Sequence, residues 1–132
     1  MDDSLRKLAQ QMDLNDPSTT DVISLLQAEF GFLPPRDYVE FIRQANGGEG
    51  NFGICYLVLW KVEDLKTWNE GYLVQEFAPG LVLFGSDGGD TAYAFDTRHI
   101  PAQIVEVPFI GMGLSETKYI GESFDDFLRH LV

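Results

Sequence analysis

Several places in the chain carry residues whose types and spacing could do chemistry. Gly48-Glu49-Gly50-Asn51-Phe52-Gly53 fits the pattern G-x-G-x-x-G. A phosphate cradle of that form follows a strand and opens a helix, so that backbone N–H groups and the positive helix end meet the phosphate. Here the glycines follow a helical pattern and precede an apolar run, and Glu49 would repel a phosphate, so the segment reads as a connecting loop. Asp87-Gly88-Gly89-Asp90 places two carboxylates close together. Hard cations such as Ca²⁺ take about six to eight oxygen ligands, and neither the EF-hand spacing nor a glycine-aspartate repeat accompanies the pair. Gly and Asp tolerate turn backbones, so a hairpin loop is the simpler reading. Such a loop is also a poor place to raise the pKa of one carboxylate for glycoside hydrolysis.

The remaining nucleophiles and bases do not assemble into a catalytic set. Ser86, Asp96 and His99 could be imagined as a triad, but Phe84-Gly85-Ser86-Asp87-Gly88 lacks the first glycine of G-x-S-x-G and no strand-to-helix elbow follows. Cys55 is the single cysteine and reads as a buried small hydrophobe. With one cysteine, neither an internal disulfide nor a cysteine-based zinc cage can form. His130 falls in a last helical turn, where the dipole favours a cation, and His99 precedes a turn at Ile100-Pro101. The expectation is a protein that is not an enzyme and needs no metal or cofactor.

The elements around these residues follow from periodicity. Residues 2–12 read as a short helix with Leu5, Leu8 and Met12 on one face. Thr19 or Thr20 caps a second, with Val22, Ile23, Leu26 and Phe30 inward and Gly31 as its stop. Leu33-Pro34-Pro35-Arg36-Asp37-Tyr38 opens a third, carried by Tyr38, Phe41, Ile42 and Ala45 and ended by Asn46-Gly47-Gly48 as a cap. Ile54–Trp60 is a strand. Residues 62–77 read as one helix whose buried face holds Leu65, Trp68, Tyr72 and Leu73. Strands follow at Leu81–Phe84, Thr91–Asp96 and Gln103–Val107, then a glycine-rich loop over residues 110–118. Ser123 caps a final helix with Phe124, Phe127, Leu128 and Leu131 buried. Helices, then strands, then a closing helix indicate an α+β fold: a single domain with N-terminal helices, a central mostly antiparallel sheet and a C-terminal helix.

Composition bounds the function. The chain has 132 residues, 45% hydrophobic and 13% aromatic, with ten Phe. That suits one domain with a real core. Asp and Glu number 21 against 9 Lys and Arg, a net charge of -12. Nonspecific nucleic-acid binding depends on Lys and Arg neutralising phosphates, and anionic membranes attract basic segments, so both partners are disfavoured. The acidic start Met1-Asp2-Asp3-Ser4 leads into no apolar run, which argues against a signal peptide and for the cytoplasm.

Several of these residues together resemble the SUKH superfamily, the group that includes fungal cell-wall-assembly and glucan-synthesis regulator domains and many bacterial proteins. The likeness runs through Leu33-Pro34-Pro35-Arg36-Asp37-Tyr38, Phe41-Ile42 and Asn46-Gly47-Gly48. It continues in Leu81–Asp90 followed by Tyr93-Ala94-Phe95-Asp96, and closes with Ser123-Phe124-Asp125-Asp126-Phe127-Leu128. It covers residues 19–132, leaving residues 1–18 as an N-terminal helical extension. The resemblance implies an α+β fold and no catalytic residues. It also implies an immunity role, since bacterial members typically bind and neutralise a toxin, often a nuclease or deaminase. Leu33, Pro34, Tyr38, Gly47, Gly48, Gly85, Asp96, Phe124 and Phe127 would then be structural. A charge of -12 would steer such a protein toward a basic toxin surface. Glu49, Asp87 and Asp90, with Trp60 as an aromatic anchor, are the candidate partner-binding residues. Trp68 and Tyr72 fit that role only if they are not core. An intracellular regulatory or scaffold module with endogenous partners is the second reading, and a metal- or small-molecule-dependent enzyme the third.

Overall fold

Central strands apolar at nearly every position must be covered on both faces, and the Leu81–Ser86 strand is buried throughout. The computed structural model describes all 132 residues and shows how this is done. The helices are α1 (Asp3–Gln10), α2 (Val22–Phe30), α3 (Arg36–Gln44), α4 (Leu65–Gly71), α5 (Val74–Phe77) and α6 (Phe124–His130). The strands are β1 (Asp13–Leu14), β2 (Gly48–Phe52), β3 (Cys55–Leu59), β4 (Leu81–Ser86), β5 (Thr91–Asp96), β6 (Gln103–Pro108) and β7 (Lys118–Gly121). They form one sheet in chain order, every neighbouring pair antiparallel. The fold is α+β, with helices before the sheet and a helix closing it.

Side chains alternate across a strand, and here the alternation separates two cores. Val82, Phe84, Tyr93, Phe95 and Ile104 face α1, α2, α3 and α6. Leu81, Leu83, Ala92, Ala94, Val105 and Val107 face α5 and the segment around Met112. The first face is filled with rings. Tyr38 meets Phe84, Phe95 and Phe124 edge-on at centroid distances of 5.7, 4.9 and 5.6 Å. Such geometry suits the ring quadrupoles. The second face carries alanines at β5, which lets a short helix approach closely.

Asp37 does more than suit the start of α3. Its carboxylate accepts N–H bonds from Phe124 (3.0 Å) and Asp125 (2.9 Å), so it caps α6 from across the chain while Ser123 caps it locally. The closing helix is thereby fixed to α3.

The structure departs from the sequence expectations at several elements. Residues 48–52 are not a loop but strand β2, paired with β3 from Gly48↔Leu59 to Phe52↔Cys55. Asn46-Gly47-Gly48 is not a helix cap: α3 ends at Gln44 with extended Ala45 as its cap. The glycines serve close backbone approach instead. A Cβ on Gly47 would lie 2.3 Å from the Leu59 carbonyl oxygen, and one on Gly48 2.4 Å from that of Asp13. Asn46 is buried, accepting the Val62 N–H at 3.0 Å and donating to Glu63 Oε1 at 2.6 Å. The cap of α2 is Asp21, not a threonine. The expected helix over 62–77 is a short turn plus α4 and α5, separated at Leu73, whose φ is 54°. The expected loop over 110–118 includes a short turn, and β7 begins at its end. Cys55 is half-buried rather than buried.

Gly85 sits where β3 pairs with β4, and its Cβ would lie 2.3 Å from the Val58 carbonyl oxygen. Backbone cannot move aside as a side chain can, so Gly85→Ala should destabilise by about 1–3 kcal/mol in urea unfolding. Gly71, by contrast, has open space around its Cβ position at the end of α4. Gly71→Ala should stabilise by about 0.5–1 kcal/mol in the same assay.

Candidate functional site

β3 pairs with β4 only at Val58↔Ser86 and Leu59↔Gly85. Beyond that point β4 needs another partner for its backbone, and Asn69 supplies it. The Asn69 carboxamide accepts the Leu83 N–H at 2.8 Å and donates to the Leu83 carbonyl at 3.0 Å, with a second donor bond to Leu65. Buried Leu65 and Asn69, one helical turn apart, are therefore the inner face of α4. Trp68 and Tyr72 are turned outward, 41% and 37% exposed. The expectation that Leu65, Trp68, Tyr72 and Leu73 share a buried face is thus corrected: only Leu65 is buried. A polar residue occupies the position that an apolar pattern search passes over.

Turned outward, these rings meet others. Trp60 and Trp68 stack at 4.9 Å with planes 15° apart, and Trp68 and Tyr72 at 6.1 Å and 16°. Tyr72 and Phe109 follow at 4.7 Å. This four-ring ladder forms one wall of an open groove of about 480 Å³ that also includes Tyr56, Glu49, Asp90 and Ile110. Tyr56 donates its hydroxyl to Glu49 Oε2 at 2.7 Å, and that bond raises the phenol above its usual pKa. Gly88 carries the β4–β5 loop against Tyr56, where a Cβ would lie 2.8 Å from the ring. The Phe109 N–H binds the Asp90 carbonyl at 2.9 Å, tying the far end of the ladder to the same loop.

Of the residues singled out in the sequence, Glu49, Trp60 and Asp90 line this groove. Asp87 does not; its Oδ1 accepts the N–H groups of Gly89 (2.8 Å) and Thr91 (3.2 Å) and shapes the hairpin loop. Tyr56, Phe109 and Ile110 were not singled out. Tyr56 lies on β3 and Phe109-Ile110 just beyond β6, and only the folded sheet brings these two parts of the chain to one groove. Among the residues read as structural, Pro34, Tyr38, Gly47, Gly48, Gly85, Phe124 and Phe127 are buried, while Leu33 is exposed.

Ser86 does not meet the other two residues of the imagined triad, although His99 Nε2 lies 3.7 Å from Asp96 Oδ2. Ser86 pairs with Ala92 and Asp96 with Leu81, at opposite ends of the β4–β5 hairpin, roughly 17 Å apart along the strand. Asp96 is a buried clamp: Arg98 Nε and Nη2 reach its two oxygens at 2.9 and 2.8 Å, and the Arg98 N–H adds a third bond. The Arg98 side chain packs over Gly80, whose carbonyl binds Thr97.

A profile of the SMI1 / KNR4 family (SUKH-1) matches residues 17–130. The chain belongs to this family. The match begins after α1 and β1, yet Leu5, Ala9 and Met12 are part of the same core as α3 and α6. Uncharacterized protein YnaB of Bacillus subtilis (strain 168) is 38% identical over 85 residues, covering 64% of this chain and 50% of that protein. The chain therefore aligns with about half the length of this relative. No helix is long and apolar enough to cross a membrane.

The hydrogen bonds from Arg98 hold the Asp96 carboxyl below its ordinary value of 3.8, against the opposing effect of burial. A depressed folded pKa contributes stability that is complete above the ordinary value and is lost as pH falls through the folded one. Asp96→Asn should lower the melting temperature by roughly 5 °C or more at pH 7. Melting curves should show its deficit shrinking once the pH drops below 3.8.

Proposed function

We propose that this SUKH-1 chain is a non-catalytic protein-binding domain, acting in the cytoplasm as an immunity protein that neutralises a bacterial nuclease- or deaminase-type toxin by direct binding. The observation that supports this reading is the groove: a ladder of exposed and half-buried rings flanked by Glu49 and Asp90. Aromatic side chains that become desolvated on contact supply most of the energy at protein interfaces. A net charge of -12 supplies long-range attraction to a surface evolved to hold phosphate. Gly47, Gly48, Gly85, Asp96, Phe124 and Phe127 act in this reading as scaffold and do not touch the partner.

The test pairs this chain with the toxin encoded beside its gene. Co-expression should restore growth, and the purified proteins should associate more tightly at low salt than at high salt. Trp68→Ala should weaken the complex by about thirtyfold, as loss of a central anchor does. Asp90→Lys should weaken it chiefly at low salt. No association between the purified pair at low salt would refute this pairing.

A further inference from the structure

We infer that the aromatic groove is a receptor for an arginine side chain presented by the basic partner; the inference rests on the protein-binding function proposed above and names its chemistry. The groove combines what a guanidinium needs. Trp60, Trp68, Tyr72 and Phe109 cover one another's faces and together give the groove an apolar aromatic wall, against which a planar, weakly hydrated guanidinium lies more readily than a compact, strongly hydrated ammonium. Two carboxylates stand at the same groove. Glu49 is oriented through Oε2 by the Tyr56 hydroxyl, which leaves Oε1 without a partner in the chain. The Asp90 side chain makes no hydrogen bond or ion pair within the chain, although its backbone carbonyl is fixed by Phe109.

No Lys, Arg or His lines the groove. The carboxylates elsewhere on the surface that do have cations nearby are served by Arg6, Lys118 and Arg129. The groove is thus a place where acid and aromatic surface meet with no internal cation to neutralise them. An incoming guanidinium would pair with carboxylate through parallel N–H bonds, which Lys cannot reproduce. Ile110, 88% exposed at the groove, gives apolar surface for the aliphatic stem of that arginine. A phosphate or a nucleic-acid backbone would meet only repulsion there.

The chain has two tryptophans, and both stand in the ladder. Their indole Nε1–H signals in a ¹⁵N correlation spectrum therefore report on this groove directly. Titration with acetyl-Gly-Arg-Gly-amide should shift both signals, with a dissociation constant in the millimolar range. The matching Lys peptide should bind at least about fivefold more weakly. The Glu49→Gln, Asp90→Asn double variant should lose about tenfold in affinity for the Arg peptide, with its other amide signals in place to show that it is folded. Unmoved indole signals, or Lys binding as well as Arg, would overturn the assignment. The titration reads only the groove. If the Arg peptide binds but the neighbouring toxin does not, the groove assignment stands and the immunity function falls. If the toxin binds the double variant as tightly as the wild type, the groove assignment falls and the immunity function stands.

Discussion

Two hydrogen bonds between the Asn69 carboxamide and the Leu83 backbone set the orientation of α4, and the functional surface depends on that orientation. β3 leaves β4 after two paired residues, so the middle of β4 would otherwise bury an N–H and a carbonyl without partners. Each unsatisfied buried group costs about 1–3 kcal/mol, enough to outweigh the gain from burying one more ring in place of Asn69. With Asn69 inward, Trp68 and Tyr72 must point out. They then stack with Trp60 from the end of β3 and Phe109 from the end of β6. A backbone satisfaction problem in the sheet thus produces an exposed aromatic surface.

The rest of the fold holds the pieces of that surface in place. Asn46 and Glu63 form a polar knot just after β3, with Glu63 also accepting bonds from Ser18 and Thr20. Partial burial raises the Glu63 carboxyl, but those hydrogen bonds more than offset it and hold the group below its usual pKa. On the other face, the rings around Tyr38 lock α3 and α6 to β4 and β5. The Tyr38 hydroxyl is buried without a partner, and burial pushes its pKa well above the usual range. Its ring packing evidently outweighs the cost of that orphaned hydroxyl.

Much of the fold was legible in the sequence because it follows from periodicity. Helical stripes such as Tyr38, Phe41 and Ile42, and the continuous run Leu81–Phe84, can form only elements with buried faces. The hairpin loop at Asp87–Asp90 was legible because Asp and Gly favour turn backbones. Legibility failed where contacts distant in sequence override local pattern. Gly48–Phe52 looks like a loop because glycines dominate it, yet its glycines admit the close passage of β1 and its backbone pairs with β3. The helix at 62–77 divides because its two halves pack at different points along β4 and the second core.

The candidate site divides along the same line. The sequence by itself determined the ingredients: acidic residues in great excess, loop carboxylates, and a few aromatic residues that could serve as anchors. Glu49, Trp60 and Asp90 could be picked out because loop acids and strand-end aromatics are commonly accessible. Only the tertiary structure decided that these three share a groove, that Asp87 shapes its own loop, and that Trp68 and Tyr72 face solvent. The reason is physical. Which face of an amphipathic helix turns inward depends on the hydrogen-bonding needs of the strand it covers, and those needs are set by where another strand, distant in sequence, stops pairing.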